Sequence, residues 1–264
     1  MENAEIDALI AYIHQYIDEP LPLSRLASYV AYSPYHFTRL FKERMGLPPL
    51  YYVSSLRLQK AKDLLIHTNM SVRDIGLEIG QQSLGTFSSR FTEKVGVSPT
   101  EFRNSVQATH TNLHALRSLG EWQLEHPVSP GRGRVVGTVH SDYPFEGVIL
   151  IGLFAKPIPE GLPLYGTVLS SLGHFCFTGV KPGTYYLMAT SVLWEMQASE
   201  ILLPHTTLRT RSKEPIVVSS GAIVPHRDAW LYPPAPDDPP ILISLPLLVN
   251  NFLSKISNHH LINQ

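Results

Sequence analysis

Only one cysteine, Cys176, occurs in 264 residues, which excludes an internal disulfide and suits a reducing compartment. Long hydrophobic runs are missing, so no segment is apolar enough over roughly 20 residues to span a bilayer. A charged start followed by an apolar signal core is missing too. These absences predict a soluble, cytoplasmic protein with no membrane partner. Excess charge of either sign is also lacking: 21 Lys plus Arg stand against 22 Asp plus Glu, and residues 1–105 carry eleven of each. A strongly basic module is thereby excluded, and any affinity for nucleic acid should be modest, with a shallow salt slope.

The usual marks of catalysis are absent as well. There is no nucleophile elbow and no glycine-rich phosphate loop. His174 and Cys176 alternate along a strand and share a face, but His205 and His226 lie elsewhere, and nothing in the spacing makes three or four metal ligands converge. No catalytic residue, metal or cofactor is expected, and the chain reads as a non-enzyme.

What is present is a repeat. Ser33, Phe37, Phe41, Glu43, Gly46 and Pro49 recur fifty residues later as Ser83, Phe87, Phe91, Glu93, Gly96 and Pro99. In each copy a serine suited to cap a helix precedes two aromatics four apart, which share one helical face; a glycine then stops the helix and a proline opens the next. Before each copy lies a short apolar helix, with Leu26, Ala27 and Val30 in the first and Ile75, Gly76 and Ile79 in the second. Two short helices joined by a tight turn, with a small residue at their crossing, describe a helix-turn-helix, whose second helix can enter a DNA major groove. One such unit is an ordinary helical bundle as readily as a DNA reader; two within about eighty residues favour DNA.

Residues 6–103 resemble the DNA-binding domain of the AraC/XylS family of bacterial transcription regulators. The resemblance is carried by Leu26, Ala27, Ser33, Phe37, Arg39, Phe41, Gly46, Pro49, Tyr52, Arg57, Leu58, Ala61 and Leu65, then by Ile75, Gly80, Ser83, Phe87, Phe91, Gly96, Pro99, Phe102 and Arg103. It implies a homeodomain-like double helix-turn-helix that reads two successive major grooves of promoter DNA. The long helix over 49–67 would hold the two units apart, consecutive grooves on one face being about 34 Å apart. Arg57 falls where the family has a structural arginine, and a salt bridge is expected for it.

On the first recognition helix Tyr35, His36, Thr38, Arg39 and Lys42 face outward, with Phe37, Leu40 and Phe41 inward. Tyr35, Thr38 and Arg39 are the base-edge candidates: arginine can pair with guanine O6 and N7, and threonine can bond a base or meet a thymine methyl. For Arg39 a phosphate contact is an equal alternative. The second helix offers Gln82, Leu84, Gly85, Thr86, Ser88, Ser89 and Arg90. It departs from the family pattern in having Ser89 where arginine is frequent, so it should add affinity more than discrimination. Further cations cluster as Lys42 and Arg44, as Arg57, Lys60 and Lys62, and as Arg90 and Lys94.

The predicted organisation is multidomain α and β. An all-α double helix-turn-helix domain over 1–106 is followed by a partly helical connector over 107–133, an all-β antiparallel sandwich over 134–257 and a disordered tail over 258–264. Strands are expected at 135–139, 147–154, 164–169, 174–177, 184–192, 200–209 and 215–218. The stretch 173–189, with its Pro182-Gly183 turn, is similar to the transthyretin-like sandwich of carboxypeptidase regulatory domains. The apolar stripe from Leu245 to Ile256 is expected to close the sandwich. Tyr165, Tyr186, Trp194, Trp230 and Tyr232 could line an aromatic pocket, with core packing the favoured role. A domain fused to such a DNA module implies effector binding, homodimerisation through the C-terminal domain, or both, with RNA polymerase a partner if the chain activates. A non-catalytic protein-interaction adaptor is the competing reading, favoured by the neutral charge.

Overall fold

The computed structural model describes residues 3–81, 83–120, 122, 133–220 and 224–262. The chain divides into two compact units, Met1–Arg103 with Ala235–Leu242, and Asn104–Pro234 with Ile243–Gln264.

The first unit begins with α1 (Asn3–Gln15), whose Ile6, Leu9, Ile10 and Ile13 recur at helical spacing and are all buried. Then come α2 (Leu23–Tyr29), α3 (Pro34–Met45), α4 (Pro49–His67), α5 (Val72–Glu78), α6 (Leu84–Val95) and α7 (Pro99–Asn104). The repeat is visible in the caps. Ser33 Oγ accepts the backbone N–H of His36 at 3.4 Å and Ser83 Oγ that of Thr86 at 3.4 Å, each satisfying one orphan donor of its helix. At the other ends Gly46 and Gly96 take the left-handed conformation, with φ of 75° and 91°, and donate back to the carbonyls of Lys42 and Thr92. A side chain at either glycine would cost about 1 kcal/mol of backbone strain.

The cores repeat as well. Phe37, Phe41 and Tyr52 form a chain of rings with centroids 5.6 and 5.8 Å apart, and Phe87, Phe91 and Phe102 form its counterpart at 5.8 and 5.7 Å. All six rings are fully buried. The third ring of each set comes from the helix that the proline opens, so each recognition helix is fastened to the element after it. Leu40 is less deeply placed than expected, being only half-buried. Where the short helices cross, a Cβ on Gly76 would sit 3.3 Å from the Phe87 ring, a close approach that explains the small residue there.

Among the described residues Arg57 makes no salt bridge of the expected kind. Its guanidinium donates to the carbonyls of Ile17 at 3.1 Å and Glu19 at 2.7 Å, holding the chain just beyond α1 to α4. Arg103 does the same for the far end of α4, donating to Leu65 and Met70 carbonyls. Orphan carbonyls at a helix C-terminus carry partial negative charge, which is why an arginine suits these places.

The second unit contains α8 (Val106–Ser118), β1 (Gly133–Ser141), β2 (Gly147–Phe154), β3 (Tyr165–Leu169), β4 (Gly173–Val180) and β5 (Gly183–Leu193). These are followed by α9 (Ala198–Leu202), β6 (Arg209–Arg211), β7 (Ile216–Val218), β8 (Arg227–Leu231) and α10 (Leu245–Ile262). One sheet has the order β4-β1-β8; the other runs β3-β2-β5-β6, with β7 also paired to β5. Val135, Ile151, Phe177, Leu187, Ile216 and Leu231, drawn from six strands of both sheets, belong to one buried cluster. Two sheets with a common core are a sandwich.

Several expectations are corrected here. The segment expected as a strand over 200–209 holds α9 instead, because Gln197 and Glu200 form a reciprocal capping box. β8 was not anticipated, and it pairs parallel to β1, so the sandwich is not wholly antiparallel. The helical part of the connector packs with α9 and α10 in the second unit, while the Pro/Gly stretch from Pro127 to Gly131 lies outside the described residues. Residues 235–242, expected within the sandwich, belong to the helical unit. Helix α10 continues to Ile262, past the expected start of a disordered tail at 258. Among the described residues no helix is long and apolar enough to cross a membrane.

Candidate nucleic-acid interface

The caps and rings above fix which face of each recognition helix is left outside. On α3, Phe37, Phe41 and Met45 are buried, so Tyr35, Arg39 and Lys42 are exposed, with Tyr35 84% accessible. His36 and Thr38 are half-buried. An exposed tyrosine ring near a helix N-terminus has no part in the core. The His36 ring meets Tyr32 edge-on at 5.2 Å.

Two of these side chains are already engaged within the helix. Arg39 Nη1 lies 2.8 Å from Glu43 Oε1, one turn on, with both side chains more than half exposed; such pairs contribute only about 0–1 kcal/mol, so a base or phosphate can displace Glu43 readily. Thr38 Oγ1 donates to the Pro34 carbonyl at 2.8 Å. Its proton is spent inside the helix, which leaves the methyl group and an oxygen lone pair for a ligand.

On α6, Phe87, Phe91 and Val95 are buried. Leu84, Gly85, Thr86, Ser89 and Arg90 are exposed and Ser88 is half-buried, whereas Gln82 lies outside the described residues. Arg90 donates to Gln81 Oε1 at 3.3 Å. The exposed Arg73 of α5 shares a recess of about 290 Å³ with Leu77, Gln81 and Leu84. Arg73 was missed from sequence because a lone arginine on a seven-residue helix carries no pattern of its own.

The expected cation clusters are largely turned to other work. Lys60 is paired with Asp18, and lies 3.5 Å from Glu78. Lys94 donates to the Tyr51 hydroxyl at 2.8 Å and lies 3.0 Å from Glu93. Lys62 is wholly buried. Its ammonium donates to the Ile241 carbonyl at 2.8 Å, with Nζ 5.5 Å from the Phe102 ring centroid. Loss of hydration lowers its pKa to about 7, against a small opposing pull from Asp63. Lys42, Arg44, Arg73 and Arg90 remain as exposed cations on α3, α5 and α6.

Helix α4 joins the two helix-turn-helix motifs with 19 residues, which at 1.5 Å per residue is about 28 Å. Tyr52 joins its first turn to the rings of α3, Arg57 ties its middle to the chain beyond α1, and Arg103 of α7 donates to the Leu65 carbonyl near its C-terminal end. Among the described residues no group of three or more His, Cys, Asp or Glu is arranged to hold a metal. His140 is bonded to Asp228, and Thr138 lies between His174 and His226. Of the five aromatics expected to pack in the core or line a pocket, Tyr165 lines a cavity, while Trp230 is 52% exposed and stacked on His140 at 4.7 Å.

Comparison with known proteins places this architecture. Residues 26–105 match the family described as a helix-turn-helix domain. The uncharacterized HTH-type transcriptional regulator YobQ of Bacillus subtilis (strain 168) is 34% identical over 99 residues, 38% of this chain and 41% of that protein. The bifunctional transcriptional activator/DNA repair enzyme AdaA of the same organism is 33% identical over 106 residues, 40% of this chain and 50% of its own. A crystal structure of an AraC-type regulator from Chromobacterium violaceum aligns with 39% of this chain and 91% of its own, at 33% identity and a TM-score of 0.37. This chain thus spans about half or less of the two curated relatives. Residues 26–105 are thus a helix-turn-helix domain similar to those of bacterial transcriptional regulators, and a β-rich region of two sheets follows.

Proposed function

We propose that the chain is a sequence-specific transcription regulator that reads two successive major grooves of promoter DNA with α3 and α6. The observation that carries this reading is the duplicated construction of those helices, each capped by serine, stopped by glycine and fastened by three buried rings, with the long helix α4 between them in the chain. Tyr35, Thr38 and Arg39 read base edges in the first groove. His36 and Lys42 flank them on the backbone side. In the second groove Leu84, Gly85 and Thr86 lead, with Gln82, Ser88 and Ser89 beside them, and Arg90 and Arg73 hold phosphates. That the two Bacillus subtilis relatives are named as a transcriptional regulator and a transcriptional activator supports the same assignment.

The second unit, on this reading, governs DNA occupancy by binding an effector or by pairing with a second copy of the chain. RNA polymerase becomes a further partner at a promoter that is activated. Genomic footprinting followed by a salt titration on the recovered site tests the core of the proposal. Binding should be site-selective, and with Arg39, Lys42, Arg44, Arg73 and Arg90 as the exposed cations of α3, α5 and α6, the magnitude of the slope of log K against log salt should stay at about five or below. Electroneutrality of the helical unit supports one competing reading, a protein-docking adaptor. Absence of any duplex binding at low salt would decide for it.

A further inference from the structure

A cavity of about 620 Å³ opens in the second unit, within the roughly 300–1,000 Å³ typical of small-molecule sites. Its position follows from the topology. β3 ends one sheet and β4 ends the other, so two edge strands consecutive in sequence leave a mouth between the layers, and α10 lines it with Leu248, Phe252 and Lys255. Apolar walls come also from Ile151, Leu164 and Phe177.

Two polar features interrupt those walls. Thr167 is the cross-strand partner of Ile151, and partners in a ladder send their side chains to the same face. Ile151 belongs to the core, so Thr167 is aimed inward as well. Among the described residues its buried hydroxyl has no hydrogen-bond partner, a condition that costs about 1–3 kcal/mol and that an occupant's polar group would relieve. The second feature is Lys255, on an exposed turn of α10; among the described residues no carboxylate lines the cavity to match it.

We propose that this cavity binds a small carboxylic acid with an apolar body that carries a second oxygen: the body lies against Phe177 and Phe252, the carboxylate meets Lys255, and the second oxygen meets Thr167. This assignment rests on the reading of the second unit as the sensing domain and names the chemistry it senses. A built-in reporter adjoins the site. Trp122 Nε1 donates to the carbonyl of the lining residue Val168 at 3.0 Å, and its ring lies 5.5 Å from that of Phe252.

The test is calorimetric titration of the full chain with 10-hydroxydecanoate, decanoate and decylammonium, with tryptophan fluorescence followed in parallel. The expected order is 10-hydroxydecanoate, then decanoate, with no binding of decylammonium. K255E should weaken both acids at least tenfold, and S254W, which fills the cavity from an exposed helical position, should abolish binding. T167V should remove the preference for the hydroxy acid, and W122F the fluorescence change. Equal binding of decanoate and decylammonium, indifference to K255E and S254W, or no binding at all overturns the site, and a hydroxy-acid preference that survives T167V overturns the role of Thr167. DNA affinity of the unliganded chain is measured alongside. Acid binding without any DNA binding sinks the regulator reading alone, and DNA binding without acid binding sinks the cavity alone.

Discussion

Tyr35, Thr38 and Arg39 of the first helix-turn-helix occupy the places held fifty residues later by Gly85, Ser88 and Ser89, while the rings beneath them, Phe37, Phe41 and Tyr52 against Phe87, Phe91 and Phe102, are buried alike. The halves have kept what builds a recognition helix and parted in what it presents. The difference teaches that packing and reading are separable here. If so, core substitutions should affect the halves equally and surface substitutions should not.

The core arm of that comparison carries the largest effect. Phe41→Ala and Phe91→Ala each remove a wholly buried ring that touches two others, and each should cost about 3–5 kcal/mol in urea unfolding of the helical unit. A cost near 1 kcal/mol for Phe91→Ala alone would show that the second half is loosely built. The comparison would then fail at its base.

Lys62 breaks the symmetry from inside, since it lies over the second ring set only. Its folded pKa is about 7 against an ordinary 10.5, so between those values the unfolded chain holds a proton that the folded chain has released. Stability must therefore rise with pH from about 7 to about 10.5 and be lost as pH falls through 7, where a charged ammonium has to be buried. The span is up to about 5 kcal/mol for a group this enclosed. Lys62→Met should flatten the rise, measured as unfolding free energy against pH from 6 to 9.5, and leave the Ile241 carbonyl short of a donor at about 1–3 kcal/mol. An unchanged slope in the variant would place the titration elsewhere.

The reading arm comes next in size. Arg39→Ala should lower affinity for the cognate site by about 1–3 kcal/mol, roughly five- to 150-fold, and relax the base preference at one position. Ser89→Ala should change affinity less than twofold. A gel-shift series on the footprinted site checks both, and the reverse ranking would assign discrimination to the second groove.

How much of this was legible in the chain depends on the range of the force concerned. Caps and stops are local, so Ser33, Gly46, Ser83 and Gly96 could be placed from spacing alone, and the ring pairs at i and i+4 followed. Exposure of Tyr35, Arg39 and Leu84 followed from the same period. Long-range partners could not be read that way. Lys60, Lys62 and Lys94 look like a positive surface in one dimension, yet each also has a partner between 18 and 179 residues away. In the sandwich, β8 was hidden because five residues beside a proline-rich stretch show little alternation, and its parallel partner lies some ninety positions earlier. α9 was hidden because Ile201 and Leu202 suit either period, and only the Gln197/Glu200 box decides.

The smallest effect sits in the turns. Between α2 and α3 the left-handed residue is Ala31, with φ of 55°, and between α5 and α6 it is Gly80, with φ of 78°. Tyr32 N–H returns to the Ala27 carbonyl and Gln81 N–H to that of Gly76, so up to there the two turns run at an offset of 49; the caps Ser33 and Ser83 are offset by 50, and the second turn is longer by one residue. An L-residue at left-handed φ costs about 1–2 kcal/mol, while glycine costs about 0.4–1 kcal/mol through the freer unfolded chain. Ala31→Gly should therefore stabilise by about 0.5 kcal/mol and Gly80→Ala destabilise by a similar amount. A Cβ at Gly80 would meet only the Arg57 guanidinium, at an ordinary 3.5 Å, so the penalty there is conformational rather than steric. Opposite shifts in melting temperature of about 2–4 °C are expected for a unit of this size. Shifts of the same sign would mean that the longer second turn has relaxed the demand on Gly80, and that the halves differ in their turns as well as in their reading faces.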